Sequence, residues 1–189
     1  MKIVLASNNQ GKLAELRAMF APLGFELVTQ ASLGIPEAPE PHHTFIENAL
    51  AKARHAAKES GLPALADDAG LCVEAFGGLP GVDTAYYATQ FGYAKSDDNN
   101  VRALLEELVG VTDRRAALVS TLVALRSADD PEPLAGSERE RDTVQQLVAA
   151  DGNGEVRHGE RCGRDLVRCA HRLRPRHREL CPAFRDADE

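Results

Sequence analysis

No apolar run in this chain approaches the roughly 18 residues of a membrane-crossing helix, which argues against a membrane span. The first residues enter an apolar run directly, without the basic, apolar and small-residue zones of a signal peptide, so a cytoplasmic location is the expectation. There is no basic excess either: 22 Lys and Arg against 29 Asp and Glu give a net charge of −7. A polymeric nucleic acid normally meets a basic footprint, so no such partner is expected, whereas a single nucleotide needs only a few local cations. Internal repeats are absent. The four cysteines lack the close pairs of zinc sites, so no zinc module is expected. What remains is ordinary for a soluble domain: 189 residues, 43% hydrophobic and 27% charged, enough for one sizeable core.

The sharpest absence is regional. Residues 135–189 contain no Lys, Ile, Tyr or Met and a single aromatic, Phe184, but eleven Arg and eleven acidic residues. Residues 1–134 carry five Lys, six Arg and 18 acidic residues. Three cysteines (Cys162, Cys169, Cys181) and three of the six histidines also fall after residue 134. We therefore divide the chain into a domain over 1–134 and an Arg-rich tail over 135–189, expected to be irregular apart from two helical turns over 143–150.

Strand and helix signals alternate over the first 134 residues, which predicts an α/β fold. Ile3–Ala6 is a strand, followed by a helix with Leu13, Leu16, Met19, Phe20 and Leu23 at spacings of three and four. Glu26–Thr29 is a short strand, and Pro36, Pro39 and Pro41 punctuate a loop. Thr44–Ser60 is a strong helix: Thr44 is placed to cap it, Glu47 to complete a capping box and Gly61 to end it. Ile46, Ala49, Leu50, Ala53 and Ala57 make its apolar face, while Thr44, Asn48 and Lys52 share another. Pro63–Ala66 is expected to be a short strand ending at Asp67-Asp68-Ala69-Gly70, with Leu71–Phe76 as its continuation or partner, and 77–81 a loop. Ser96 and Asp97 open a further helix with Val101, Leu104, Leu105 and Leu108 inward and Gly110 at its stop. Ala116–Arg126 is a strand.

Two places carry chemistry. At Ser7-Asn8-Asn9-Gln10-Gly11-Lys12 a strand end feeds a helix start through Ser, Asn and Gly, gathering backbone N–H groups and a lysine at one point. Orphan N–H donors and the helix dipole suit phosphate there. The spacing is not that of a P-loop, and a capped turn with a solvated lysine would look the same. At Asp67-Asp68, neighbouring carboxylates project to opposite sides of a strand, so one is expected to face a cleft. Such a carboxylate can hold Mg²⁺ or take a proton from attacking water; the alternative is a solvated turn. Glu40, Glu47 and Lys52 carry little meaning singly. Together these groups fit metal-assisted hydrolysis of a nucleotide phosphoanhydride.

The same residues carry a resemblance. Ser7–Lys12, Thr44-Phe45-Ile46-Glu47-Asn48-Ala49 with Lys52-Ala53, Leu65-Ala66-Asp67-Asp68-Ala69-Gly70-Leu71 and Gly78-Leu79-Pro80-Gly81-Val82 follow one another as in the purine NTP pyrophosphatases of the inosine triphosphatase family. The resemblance implies an α/β fold: a two-lobed body around a long twisted mixed β-sheet with flanking helices, and the substrate in the cleft between lobes. It implies Mg²⁺-dependent hydrolysis of ITP, dITP and XTP to the monophosphate and pyrophosphate, usually by a homodimer. Carried over by position, Ser7, Asn8, Asn9, Gln10, Gly11 and Lys12 would bind the triphosphate. Asp68 would be the proton acceptor and a metal ligand, and Glu40 would coordinate Mg²⁺. Asn48, Lys52 and the Ala69 backbone would contact substrate. Small departures are Ala69 for a frequent Ser, His42 for a Gly, and Tyr86 for an Arg.

The large departure is the tail. Family members continue with a Phe-Gly-Tyr-Asp loop, a lysine and Ser-His-Arg, which cradle the purine; residues 135–189 have none of these, and His158, His171 and His177 stand in other contexts. Loss of Lys, Ile, Tyr and Met with gain of Arg, Ala, Gly and Cys is what out-of-frame translation of a GC-rich gene yields, and that origin is our expectation for the tail. Impaired activity follows. Two other readings stay open: a non-catalytic nucleotide-binding or interaction protein that uses the tail for a partner, and a Mg²⁺-dependent phosphatase with Asp68 as nucleophile.

Overall fold

The structure, a computed structural model, describes residues 1–7 and 10–143, and not the side chains of residues 10–12, 15, 138 and 140–143. Of the turns expected over 143–150, Thr143 is instead the last residue of a strand; the rest of them, with Asn8, Asn9 and the histidines and cysteines of the tail, lie outside the described residues. The described chain is a mixed α/β fold: β1 (Lys2–Leu5), α1 (Gln10–Phe20), β2 (Glu26–Thr29), α2 (Phe45–Ser60), β3 (Ala64–Val73), α3 (Asp97–Glu107), β4 (Arg115–Leu125) and β5 (Leu134–Thr143). Among the described residues these strands form one sheet in the order β2-β1-β3-β4-β5. β1 runs parallel to β2 and β3; β3–β4 and β4–β5 are antiparallel.

Three apolar clusters divide the sheet lengthwise. On one face α1 lays Leu13, Leu16 and Phe20 against Ile3, Leu5, Leu65 and Leu122. On the other, α2 packs Ala49, Ala53, Ala56 and Ala57 onto Val4, Ala64, Ala66 and Val123. Alanine at the buried apolar contacts of α2, with partly buried Leu50 beside them, lets the helix lie close to the sheet, and so brings its neighbouring side chains within reach of β3. The far halves of β3 and β4 join a second body, in which Leu71, Val73 and Ala116 meet Tyr87, Ala88, Leu104 and Leu108. Between the two bodies, at the middle of β3, sit Asp67–Gly70.

That placement corrects the expected end of β3 at Ala66. Every residue from Ala64 to Val73 is paired with β4, Asp68 with Thr121, so the carboxylates lie inside a strand. They are tolerated there because they border a polar cleft instead of the apolar core. Two inward assignments also fail: Ile46 (47% exposed) and Leu105 (38%) face outward. The capping residues hold as expected. Thr44 accepts from the Glu47 N–H, Ser96 accepts from the Asn99 N–H, and Gly61 closes α2 at φ 67°.

The stretch after the Gly77–Gly81 loop carried no sequence expectation. It is a 3₁₀ helix, Gly81–Phe91, laid across β3. The Leu71 N–H donates to Thr84 Oγ1 at 2.8 Å, and Thr84 Oγ1 donates to the Gly81 carbonyl at 2.6 Å. Gly70 makes this close approach possible. A Cβ there would run into the Gly81 carbonyl oxygen, with Thr84 Oγ1 at 2.7 Å and Phe45 at 3.0 Å. Backbone cannot step aside as a side-chain tip can, so Gly70→Ala is expected to cost about 2 kcal/mol as overpacking. Thermal unfolding should register a Tm about 4–8 °C lower; an unchanged Tm would show that the two bodies do not depend on this contact.

Residues 135–143, expected to be irregular, form most of β5, so the division at residue 134 crosses the sheet. Backbone pairing explains the difference. β4 presents a full row of N–H and C=O groups, and the partner strand satisfies them whatever its side chains are. The turn into β5 is built by Asp130, 4% exposed, which accepts from the Arg126 guanidinium and from the Arg126 and Glu132 N–H groups. Chiefly the Arg126 hydrogen bonds hold this carboxyl far below the usual aspartate range.

Candidate active site

Five elements converge on a cleft of about 330 Å³: the end of β1 at Ala6 and Ser7, the proline loop at Glu37 and Glu40, α2 at Lys52, β3 at Asp67–Ala69, and the 3₁₀ helix at Val82, Ala85 and Tyr86. Each is positioned by a local cause. β1 ends at Leu5, and Ser7 follows it two residues on at the cleft. Gln10, Gly11 and Lys12 form the opening of α1; their side chains, and Asn8 and Asn9 altogether, lie outside what is described.

α2 holds the proline loop at two points. His55 Nε2 is 3.0 Å from the Pro36 carbonyl oxygen. Asn48, 2% exposed, accepts from the His42 N–H at 3.0 Å and donates to the His42 carbonyl at 3.2 Å. The same Asn48 amide donates to Asp68 Oδ2 at 3.4 Å. One buried side chain thus ties the loop that carries Glu40 to the strand that carries Asp68.

Lys52 stands one helical turn beyond Asn48. Its ammonium lies 2.9 Å from Asp68 Oδ1 and 2.6 Å from Glu40 Oε2, and it donates to the Asp67 carbonyl at 3.3 Å. Burial alone would lower the lysine. The hydrogen bonds to Glu40 and Asp68, with their charges, outweigh burial and hold it above its ordinary value. The lysine is therefore a fixed cation at neutral pH.

The structure brings Asp68, Glu40, Asn48, Lys52, Ser7 and Ala69 to one place. Asp67 also lines the cleft, where its backbone carbonyl accepts from Lys52. Sequence reasoning missed Glu37, Gln30, Val82 and Lys95 as lining residues. Nothing in their spacing marks them: each reaches the cleft only through the tertiary path of a loop or the 3₁₀ helix.

Among the described residues no three His, Cys, Asp or Glu side chains gather as a metal-holding group. Glu40 and Asp68 form a two-carboxylate set around a cation, the Lys52 ammonium. Such a set fits Mg²⁺, which keeps several waters and binds through one or two carboxylates plus substrate phosphates. Nothing among the described residues is a membrane-crossing helix by length and apolarity.

Known proteins resemble this chain in structure and in sequence. Solved structures with this fold include a HAM1 protein from Coxiella burnetii, with TM-score 0.71 and 37% identity over 76% of this chain and 72% of that one. Another is a nucleoside-triphosphatase (dITP/XTP pyrophosphatase) from Mycobacterium abscessus, with TM-score 0.64 and 36% identity over 76% and 74%. In sequence the chain is 81% identical over 134 residues to a dITP/XTP pyrophosphatase of Albidiferax ferrireducens, covering 71% of this chain and 67% of the relative. It is 71% identical over 158 residues to that of Polaromonas naphthalenivorans, covering 82% and 78%. The Ham1 family pattern itself matches residues 3–142, from the first strand through nearly all of the last, and the chain belongs to the Ham1 family.

Proposed function

We propose that this chain hydrolyses non-standard purine nucleoside triphosphates (ITP, dITP, XTP) to the monophosphate and pyrophosphate, with Mg²⁺. The observation that carries the reading is the Glu40–Lys52–Asp68 cluster, locked by Asn48, at the edge of a cleft that Ser7 also lines. In this reading Ser7–Lys12 hold the phosphate chain, and Lys52 offsets charge beside Asp68. Asp68 takes the proton of the attacking water, a new P–O bond forms, and the α–β phosphoanhydride breaks to release pyrophosphate. Glu40 and Asp68 would hold Mg²⁺, which when bound supplies positive charge to the phosphates. Positioning and fixed charge are the main contributions a protein makes to such chemistry. The names of the relatives support the substrate class. Cytoplasmic location and a homodimer belong to the same reading, on the family resemblance.

Product analysis tests it. Incubation with dITP and Mg²⁺ is expected to release one pyrophosphate per monophosphate, with no orthophosphate and no aspartyl-phosphate. Orthophosphate with a phosphorylated Asp68 would replace this reading by an aspartate-nucleophile phosphatase. Binding of dITP without any product would leave a nucleotide-binding protein. We further propose that residues 135–189, lacking the family's base-recognition groups, slow the reaction. The expected turnover lies below the ordinary enzyme range of roughly 1–10³ s⁻¹.

A further inference from the structure

Two residues of the cleft take no part in the scheme above. Tyr86, on the 3₁₀ helix, and Lys95, in the turn before α3, both line it. The Lys95 ammonium lies 3.8 Å from the centroid of the Tyr86 ring. Among the described residues Lys95 makes no ion pair with a carboxylate. The charges around it make this notable. Glu37, Glu40, Asp67 and Asp68 border the cleft against two described lysines, and Lys52 is already shared between Glu40 and Asp68. Lys52 is thus bound to two carboxylates, whereas Lys95, the other described lysine of the cleft, is held by a ring.

We infer that Lys95, held over Tyr86, binds a phosphate oxygen of the triphosphate and is a substrate-binding residue of this cleft; the inference rests on the function proposed above. A ring face attracts an ammonium without consuming all of its N–H donors, so the donors turned away from the ring stay available to an anion. The ring also restrains a side chain that would otherwise sample many rotamers, so less freedom is lost when the anion arrives. Tyr86 is 53% exposed, which leaves the pair open to a ligand from solvent. Because the contact is to phosphate, it discriminates by phosphate number and not by base.

The test uses inorganic tripolyphosphate with Mg²⁺, titrated by calorimetry into the full chain at low salt. Lys95→Ala is expected to weaken binding about ten-fold, the size of one charge-assisted hydrogen bond. Lys95→Arg should stay within about three-fold of the parent. Tyr86→Phe should bind as the parent does, since the ring and not the hydroxyl holds the ammonium, whereas Tyr86→Leu should fall between. Raising the salt should shrink the Lys95→Ala difference, because a partly exposed charge is screened. Inosine, without phosphates, should not distinguish the variants. Equal tripolyphosphate affinity for the parent and Lys95→Ala would overturn this inference and leave the proposed function standing. A parent chain that binds no tripolyphosphate would overturn both.

Discussion

Asp68→Asn is expected to lower single-turnover release of pyrophosphate from dITP by about 10³-fold, within the range by which a positioned general base accelerates a reaction. Asparagine keeps the shape and can keep a hydrogen bond from Asn48, but it cannot accept the proton of the attacking water. Single-turnover conditions with excess enzyme make the loss readable even in a slow parent. The substitution also removes one of the two carboxylates that raise Lys52, which is otherwise lowered by burial. The lysine should then deprotonate at lower pH than in the parent. Tripolyphosphate binding by Asp68→Asn should accordingly weaken on the alkaline side before the parent's does. A rate within ten-fold of the parent would remove Asp68 from the role of proton acceptor. A circular dichroism spectrum matching the parent's keeps unfolding from imitating the effect.

Much of the site was legible because local signals coincide with the tertiary ones. Thr44, Asn48 and Lys52 fall on one face of a helix, and helical spacing alone places them together. Ser7 is marked by an apolar run giving way to Ser, Asn and Gly. The extent of β3 was not legible. Asp67-Asp68-Ala69-Gly70 has the composition of a turn, and only pairing with β4 and the cations waiting in the cleft make it strand. The 3₁₀ helix over Gly81–Phe91 was hidden for a related reason. It has neither the period of an α-helix nor the alternation of a strand, and its seat on β3 depends on the absence of a Cβ at Gly70. Tyr86 and Lys95 inherit that illegibility, since the 3₁₀ helix sets where they meet. β5 shows the opposite limit: its Arg-rich composition argued against regular structure, and backbone pairing prevailed.

The second large effect concerns the tail. Residues 1–134 joined to the segment that follows the matching position in the Albidiferax ferrireducens relative are expected to hydrolyse dITP at least about 10²-fold faster than this chain. The alignment with that relative is 134 residues long at 81% identity, the length of the chain before its composition changes. Within those residues the described cleft carries carboxylates and lysines suited to phosphate and metal. The groups that the family resemblance would assign to the purine fall after residue 134, where this sequence has no Phe-Gly-Tyr-Asp and no Ser-His-Arg. Base discrimination depends on buried hydrogen bonds that find their partners, and each charge-assisted bond lost costs about ten-fold, so two absent contacts account for the factor. The strand β5 matters to the design of the test. Because the present tail still pairs with β4 through residue 143, the exchange replaces one edge strand by another and does not repair a missing one. A gain in rate with little change in Tm would therefore locate the defect in the cleft, whereas a matched gain in both would locate it in the fold. No gain, or a parent already turning over dITP at roughly 1–10³ s⁻¹, would overturn the impairment. The coding DNA bears on its origin independently: a second frame after codon 134 that encodes Phe-Gly-Tyr-Asp and Ser-His-Arg would make the tail a frameshift product, and the absence of such a frame would make it a segment with its own history.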